Sequence, residues 1–333
     1  MTSPQAAAPS GRRKRPAWQR VLIVAAVIAV VAVLPAVVAG WLAGGHAALA
    51  VVLGEGGALL GATRGGVAPM ARMVPVLGVV TALAALAGFG WGWVALMAVV
   101  GVAAGVGYPH GYAPALLASA MPAVFMLEGL TAWRAVVVGV FALLAAIIGV
   151  LLARHLGVPA TLPAPATGNR LEWFYGAMGM VALGGGAAIA VGSGIPHGYW
   201  IVLTLIIVGA ALAAGDTHRN RQRLAGNLGG LAITIPISFV PLPAWAFYAL
   251  AFVLLVVAFS FITRRYWLYA LLESAAVVLL VSAGQAGTTI LETGEARAAA
   301  TLIGCALVAL LVAGVRLALP HLPRVSAPGA VDA

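Results

Sequence analysis

The sequence predicts an all-α fold, a polytopic bundle of about 12 transmembrane helices arranged as two parallel six-helix repeats. Three observations carry that expectation. Hydrophobic residues fill 63% of the 333 positions and charged residues only 8%, with a mean hydropathy of +1.09. A soluble domain needs roughly a quarter of its residues charged to cover its surface. Apolar runs close to the roughly twenty residues that cross a bilayer recur along the whole chain. Lys and Arg collect in the short segments between those runs, which is how cytoplasmic loops of membrane proteins are charged.

The apolar runs place helices near 21–41, 45–61, 73–89, 91–107, 111–127 and 134–152 in the first half. A polar stretch, 153–172, holds Arg154, His155, three prolines and Arg170 and reads as a cytoplasmic linker. Further helices follow near 173–191, 198–214, 224–240, 244–261, 267–283 and 297–318. The second and fifth runs are interrupted by Gly or Pro, which leaves ten or eleven helices as alternatives. Residues 1–20 form a basic cytoplasmic tail and 320–333 a C-terminal tail. The basic start followed by Val21–Ala39 resembles a signal peptide, but that run exceeds the 7–15 apolar residues of a cleaved signal. It is read as an uncleaved first helix.

Threading twelve helices from a cytoplasmic N-terminus leaves only Arg134 and Arg297 outside, and all other Lys and Arg of the eighteen inside. Both termini are therefore expected in the cytoplasm, with the chain in the cytoplasmic membrane of a bacterium. The same distribution explains the net charge of +10 without nucleic acid, because no basic and aromatic surface exists on which bases could stack. A shift of 151 positions lays His46 on His197 and Arg72 on Arg223, and Leu77–Gly78 on Leu228–Gly229. Six helices per repeat makes the repeats parallel, with a site expected between them at mid-depth.

Charged and polar residues inside apolar runs are the candidates for function. A carboxylate in a spanning helix costs roughly 2.5–3.5 kcal/mol even on the mildest scale. Glu55, set among Gly54, Gly56 and Gly57, reads as a proton-coupling or gating acid, or as a glutamate hydrogen-bonded within the bundle. Glu273 follows Tyr269 by four residues, so the two share a helix face that could line a pore. Tyr266, Trp267 and Tyr269 read as an interfacial aromatic belt. His197, next to Tyr199 and Trp200, is a titratable group at a helix end, or an interfacial His beside the Pro196 turn. In the loop Arg219, Arg221, Arg223, the first two read as topology markers that touch lipid headgroups. Arg223, closest to the helix start, is the better substrate ligand, and Arg72 is its counterpart in the first half.

No Walker lysine motif and no metal-ligand spacing occurs in the sequence, so no cofactor, metal or enzymatic activity is expected. The single cysteine, Cys305, excludes an intrachain disulfide. The expected partners are the lipid bilayer and a small organic anion, with a homodimer open and nucleic acid excluded.

The second half carries an ordered set of motifs. It runs Ile195-Pro196-His197-Gly198-Tyr199-Trp200, then Thr217-His218-Arg219-Asn220-Arg221-Gln222-Arg223, then Leu224-Ala225-Gly226-Asn227-Leu228-Gly229-Gly230. Thr263-Arg264-Arg265-Tyr266-Trp267-Leu268-Tyr269-Ala270 follows, and a last helix that begins Glu295-Ala296-Arg297. This set, over about Glu172–Leu319, resembles the fusaric acid resistance protein-like (FUSC) family, which includes aromatic acid exporters and is related to plant malate channels. The first half matches as a degenerate copy. Asn227 stands where the family usually has threonine, in Arg-x-x-Gly-Thr-x-x-Gly, and the soluble cytoplasmic domain of larger exporters is absent. The resemblance implies proton-coupled efflux of aromatic or other organic acids. The alternatives are a passive organic-anion channel or a non-transporting scaffold subunit.

Overall fold

The computed structural model describes residues 34–126, 129–160, 170–213, 218–240, 242–259, 261, 265–284 and 289–318. The part of the first expected helix before residue 34, and the tails, lie outside them.

Among the described residues the fold is helical throughout, with twelve α-helices. The first half holds α1 (Leu34–Ala43), α2 (Gly45–Gly65), α3 (Val67–Ala87), α4 (Trp91–Val106), α5 (Ala113–Ser119) and α6 (Ala132–His155). The second holds α7 (Arg170–Gly192), α8 (Tyr199–Ala213), α9 (Arg219–Ser238), α10 (Ala244–Phe259), α11 (Tyr266–Gly284) and α12 (Ile290–Ala318). Four helical segments, Val67–Ala87, Ala132–His155, Trp173–Gly192 and Ile290–Gly314, are long and apolar enough to cross a membrane. The fifth apolar run is interrupted as its prolines demand: α5 stops at Ser119 and one 3-10 turn, Pro122–Phe125, follows.

Three helix starts fall earlier than the hydropathy predicts, and each sets an arginine inside a helix instead of at or before its first residue. The α3 helix begins at Val67, α9 at Arg219 and α12 at Ile290, so Arg72, Arg223 and Arg297 are all helical. Gly66, at φ +97°, turns the chain between α2 and α3 in a single residue, a conformation that favours glycine. The expected linker is partly structural: the carbonyls of Pro159 and Ala160 accept from the N–H groups of Val67 and Ala68 at 3.0 and 2.8 Å. They cap the free first turn of α3.

The α12 start has its own signal. Thr289 Oγ1 accepts from the Glu292 N–H at 3.1 Å, and Glu292 Oε2 accepts from the Thr289 N–H at 2.9 Å. This reciprocal capping box satisfies two donors that a helix start otherwise leaves open.

Neighbour pairs recur in the two halves. In the first, α1 packs on α2, α2 and α3 on α6, and α3 and α4 on α5; in the second, α7 packs on α8, α8 and α9 on α12, and α9 and α10 on α11. The α4 helix of the first half runs along α7 of the second, and α5 meets α8. Glycines let α4 and α7 approach to backbone contact: a Cβ on Gly101 would stand 2.2 Å from the Gly179 carbonyl oxygen, and one on Gly105 2.0 Å from that of Tyr175. Small residues at such a seam allow close van der Waals packing where no hydrophobic effect drives helices together. Trp41, Trp91, Trp133, Trp173 and Trp245 lie exposed at helix ends, the position of a membrane-interface belt.

Candidate functional site

The α9 and α11 helices run side by side because α9 carries glycine where α11 passes. A Cβ on Gly226 or Gly230 would come within 2.7 Å of the carbonyl oxygens of Trp267 and Leu271 respectively. That close contact sets the fifth residue of α9, Arg223, against the eighth residue of α11, Glu273. Arg223 Nη1 donates to Glu273 Oε2 at 3.1 Å and to the Tyr266 hydroxyl at 3.4 Å. From the other side, Arg297 Nη2 of α12 donates to Glu273 Oε1 at 3.0 Å. One carboxylate thus bridges two guanidiniums.

All three charges are inside the bundle, with relative exposures of 0% for Arg223, 1% for Arg297 and 8% for Glu273. The count is unbalanced, since two positive groups share one negative group. Arg223 Nε and Nη2 and Arg297 Nε and Nη1 are buried without a hydrogen-bond partner. Arg297 lies over the indole of buried Trp200, a favourable use of the ring quadrupole where water is excluded.

The surroundings extend the centre at both ends. Asn227 Nδ2, one helical turn beyond Arg223, donates to Thr301 Oγ1 at 2.7 Å. Asn220 Nδ2 donates to the Cys305 carbonyl at 3.2 Å, so α9 and α12 are antiparallel and pinned at two levels. Trp200 stacks on His197 at 4.8 Å between ring centroids, and His197 Nδ1 lies 3.2 Å from the Tyr199 hydroxyl. His197 sits at φ +56°, a conformation that costs a non-glycine residue roughly 1–2 kcal/mol, in the turn that opens α8. Tyr269 stacks on Tyr266. The described part of α8, fifteen residues, is about 22 Å long.

Six of the eight predicted site residues therefore belong to one connected cluster: His197, Tyr199, Arg223, Asn227, Tyr269 and Glu273. Two do not. Arg72 bonds to the Tyr112 hydroxyl in the first half. Glu55 is buried on α2, with Oε2 unpartnered; its own backbone carbonyl faces Gly149 of α6. Sequence reading missed Arg297 and Tyr266. The hydropathy reading sets Arg297 at the outer start of a helix near 297–318, whereas it is a buried residue two turns inside α12. Tyr266 was assigned to an aromatic belt, but it is buried against Arg223, and only Trp267 of that group turns outward. The family pattern Arg-x-x-Gly-x-x-x-Gly over Arg223–Gly230 acquires a physical reason here, because the two glycines admit α11 and the arginine reaches its glutamate.

The family described as fusaric acid resistance protein-like matches residues 180–312. Neither the curated proteins nor the solved structures compared with the chain give a match. The family match and the apolar helices fit a membrane transport or efflux protein. The matched segment contains every member of the Arg–Glu–Arg centre, and it is over this segment that the chain is similar to the fusaric acid resistance protein-like family.

Proposed function

We propose that the chain is a secondary transporter of the bacterial cytoplasmic membrane that moves small organic acids outward through the centre formed by Arg223, Glu273 and Arg297. The observation that carries this reading is the buried surplus of one positive charge with four unpaired guanidinium nitrogens. A charged residue inside a membrane costs several kcal/mol unless something compensates it. Replacing buried ionic clusters by apolar residues is often neutral or stabilising, so stability alone gives no reason to keep one here. An arriving anion supplies what the protein leaves out. Both guanidiniums are sealed from solvent, so this conformation corresponds to an occluded state, and α8 with its strained His197 turn is the element placed to open it.

Coupling falls to Glu55 rather than Glu273. Glu273 is committed to two guanidiniums, whereas Glu55 has a buried oxygen with no hydrogen-bond partner and no ion pair among the described residues. Purified protein in proteoliposomes, loaded with a panel of aromatic and aliphatic acids, tests the proposal. Flux of at least one acid that rises with an imposed pH gradient supports it. Flux that ignores the gradient points to a passive anion channel. No flux of any acid, with no acid raising thermal stability, points to a scaffold subunit.

A further inference from the structure

We propose that Glu273 is a resident counter-anion that sets the valence of the ligand, so that the centre accepts one monovalent carboxylate and discriminates against dicarboxylates. The inference rests on the reading of this centre as an anion site, and it adds a specificity-determining residue to it.

The argument begins with which guanidinium edges are used. Arg223 spends Nη1 on both Tyr266 and Glu273, and leaves Nε and Nη2 without partners. Those two nitrogens form one edge of the planar group, with parallel N–H bonds in the fork that matches the two oxygens of a carboxylate. Arg297 spends Nη2 on Glu273 and leaves Nε and Nη1. The side chain of Arg223 is completely buried, so no bulk water or lipid headgroup satisfies that fork.

Charge then fixes valence. Two guanidiniums and one carboxylate leave one positive charge, which one monoanion neutralises and a dianion overshoots. The other described charged side chains of α9, α11 and α12 do not alter the count. Arg221 of α9, and Glu292 and Glu295 of α12, are exposed, and no charged residue occurs in α8. In a water-poor interior, an uncompensated charge is penalised far more than in solution. Glu273 therefore acts as a permanent first anion and leaves room for one more. The first half has no equivalent, since the positions aligned with Glu273 and Arg297 are Pro122 and Ala146. Among the described residues there is one such centre.

Benzoate and phthalate at pH 8 are suitable probes, because they share a ring and carry one and two charges. Their dissociation constants are measured on the full chain in nanodiscs, at fixed ionic strength. The wild type is expected to prefer benzoate by about tenfold or more, equivalent to ~1.4 kcal/mol. Glu273→Gln keeps the shape and raises the surplus to two, so the preference should reverse toward phthalate. Glu273→Asp keeps the charge and should keep the benzoate preference. Arg297→Gln moves the count the other way, to zero, and should weaken benzoate by about tenfold or more. Equal or tighter binding of phthalate by the wild type overturns the proposal without any variant having to fold. An unchanged preference in folded Glu273→Gln also overturns it, while leaving the anion-transport reading intact. Failure of both probes to bind overturns it too, and the proteoliposome flux panel then decides the transport reading separately.

Discussion

The guanidinium of Arg297 lies over the indole of Trp200, with 5.0 Å from Cζ to the ring centroid. Through this contact the start of α8 is held to the charge centre on α9, α11 and α12, and any motion of α8 must exchange or drag it. Trp200 is also fully buried. Trp200→Ala should cost about 3–5 kcal/mol of stability from lost packing. Trp200→Phe keeps an aromatic face and should cost only about 1 kcal/mol. Thermal unfolding in detergent measures both; equal losses would mean that the ring face contributes nothing beyond volume.

Charge counting predicts an order of stability that side-chain size does not. Arg297→Met leaves Arg223 and Glu273 as a balanced pair. Glu273→Leu leaves two buried cations with no anion between them. Removing one partner from a buried ion pair costs about 3–5 kcal/mol, and Glu273→Leu should be the worse of the two. The measurement is thermal unfolding without added anion, and an inverted order would mean that the two guanidiniums are compensated by something other than Glu273.

At the seam between the halves, Gly105→Ala should destabilise strongly, since its Cβ would meet backbone atoms of Tyr175 and Gly176 within 2.5 Å. Gly185→Ala, a helical glycine with nothing within 4 Å of the added carbon, should be neutral or stabilising by up to about 1 kcal/mol. Comparable unfolding temperatures for the two variants would show that α4 and α7 are not held at backbone contact.

Much of the fold is legible in the sequence because spanning helices need long apolar runs, and nearly every run became a helix. The boundaries were less legible where arginine occurs. Arginine beside an apolar run reads as a loop residue, yet Arg221, Arg223 and Arg297 are all helical, and only Arg221 of the three is exposed. A buried arginine and a loop arginine look alike in a hydropathy profile; what differs is whether an acid on another helix stands at the same depth. Two local signals were available. Thr289-Ile290-Leu291-Glu292 is a capping box that places the start of α12 seven residues before Arg297. Glu273, an acid inside an apolar run, requires a cation from somewhere. That Arg297 supplies part of it could not be read, because the pairing spans three helices. The position of Arg223 is set by the Gly226 and Gly230 contact with α11, which buries it against Glu273.

Orientation is expected from the distribution of Lys and Arg along the sequence. The 215–223 segment is expected to face the cytoplasm. A cysteine placed at Thr217 in a Cys305→Ala background should be unreactive toward an impermeant thiol reagent added outside intact cells, and reactive in inverted vesicles. Labelling from outside would invert the topology.

The most direct test of the account compares two arginines of one helix. Flux of benzoate, or of the best acid from the panel, is measured in proteoliposomes for Arg223→Ala and Arg219→Ala, each matched for folded and inserted protein. The account predicts that Arg223→Ala loses about tenfold or more of the flux, since an arginine–carboxylate pairing is worth upward of ~1.4 kcal/mol in a dry site. Arg219→Ala should stay within about twofold, as its reading as a topology marker implies. Wild-type flux through correctly folded Arg223→Ala would contradict the claim that the anion passes through the Arg223–Glu273–Arg297 centre.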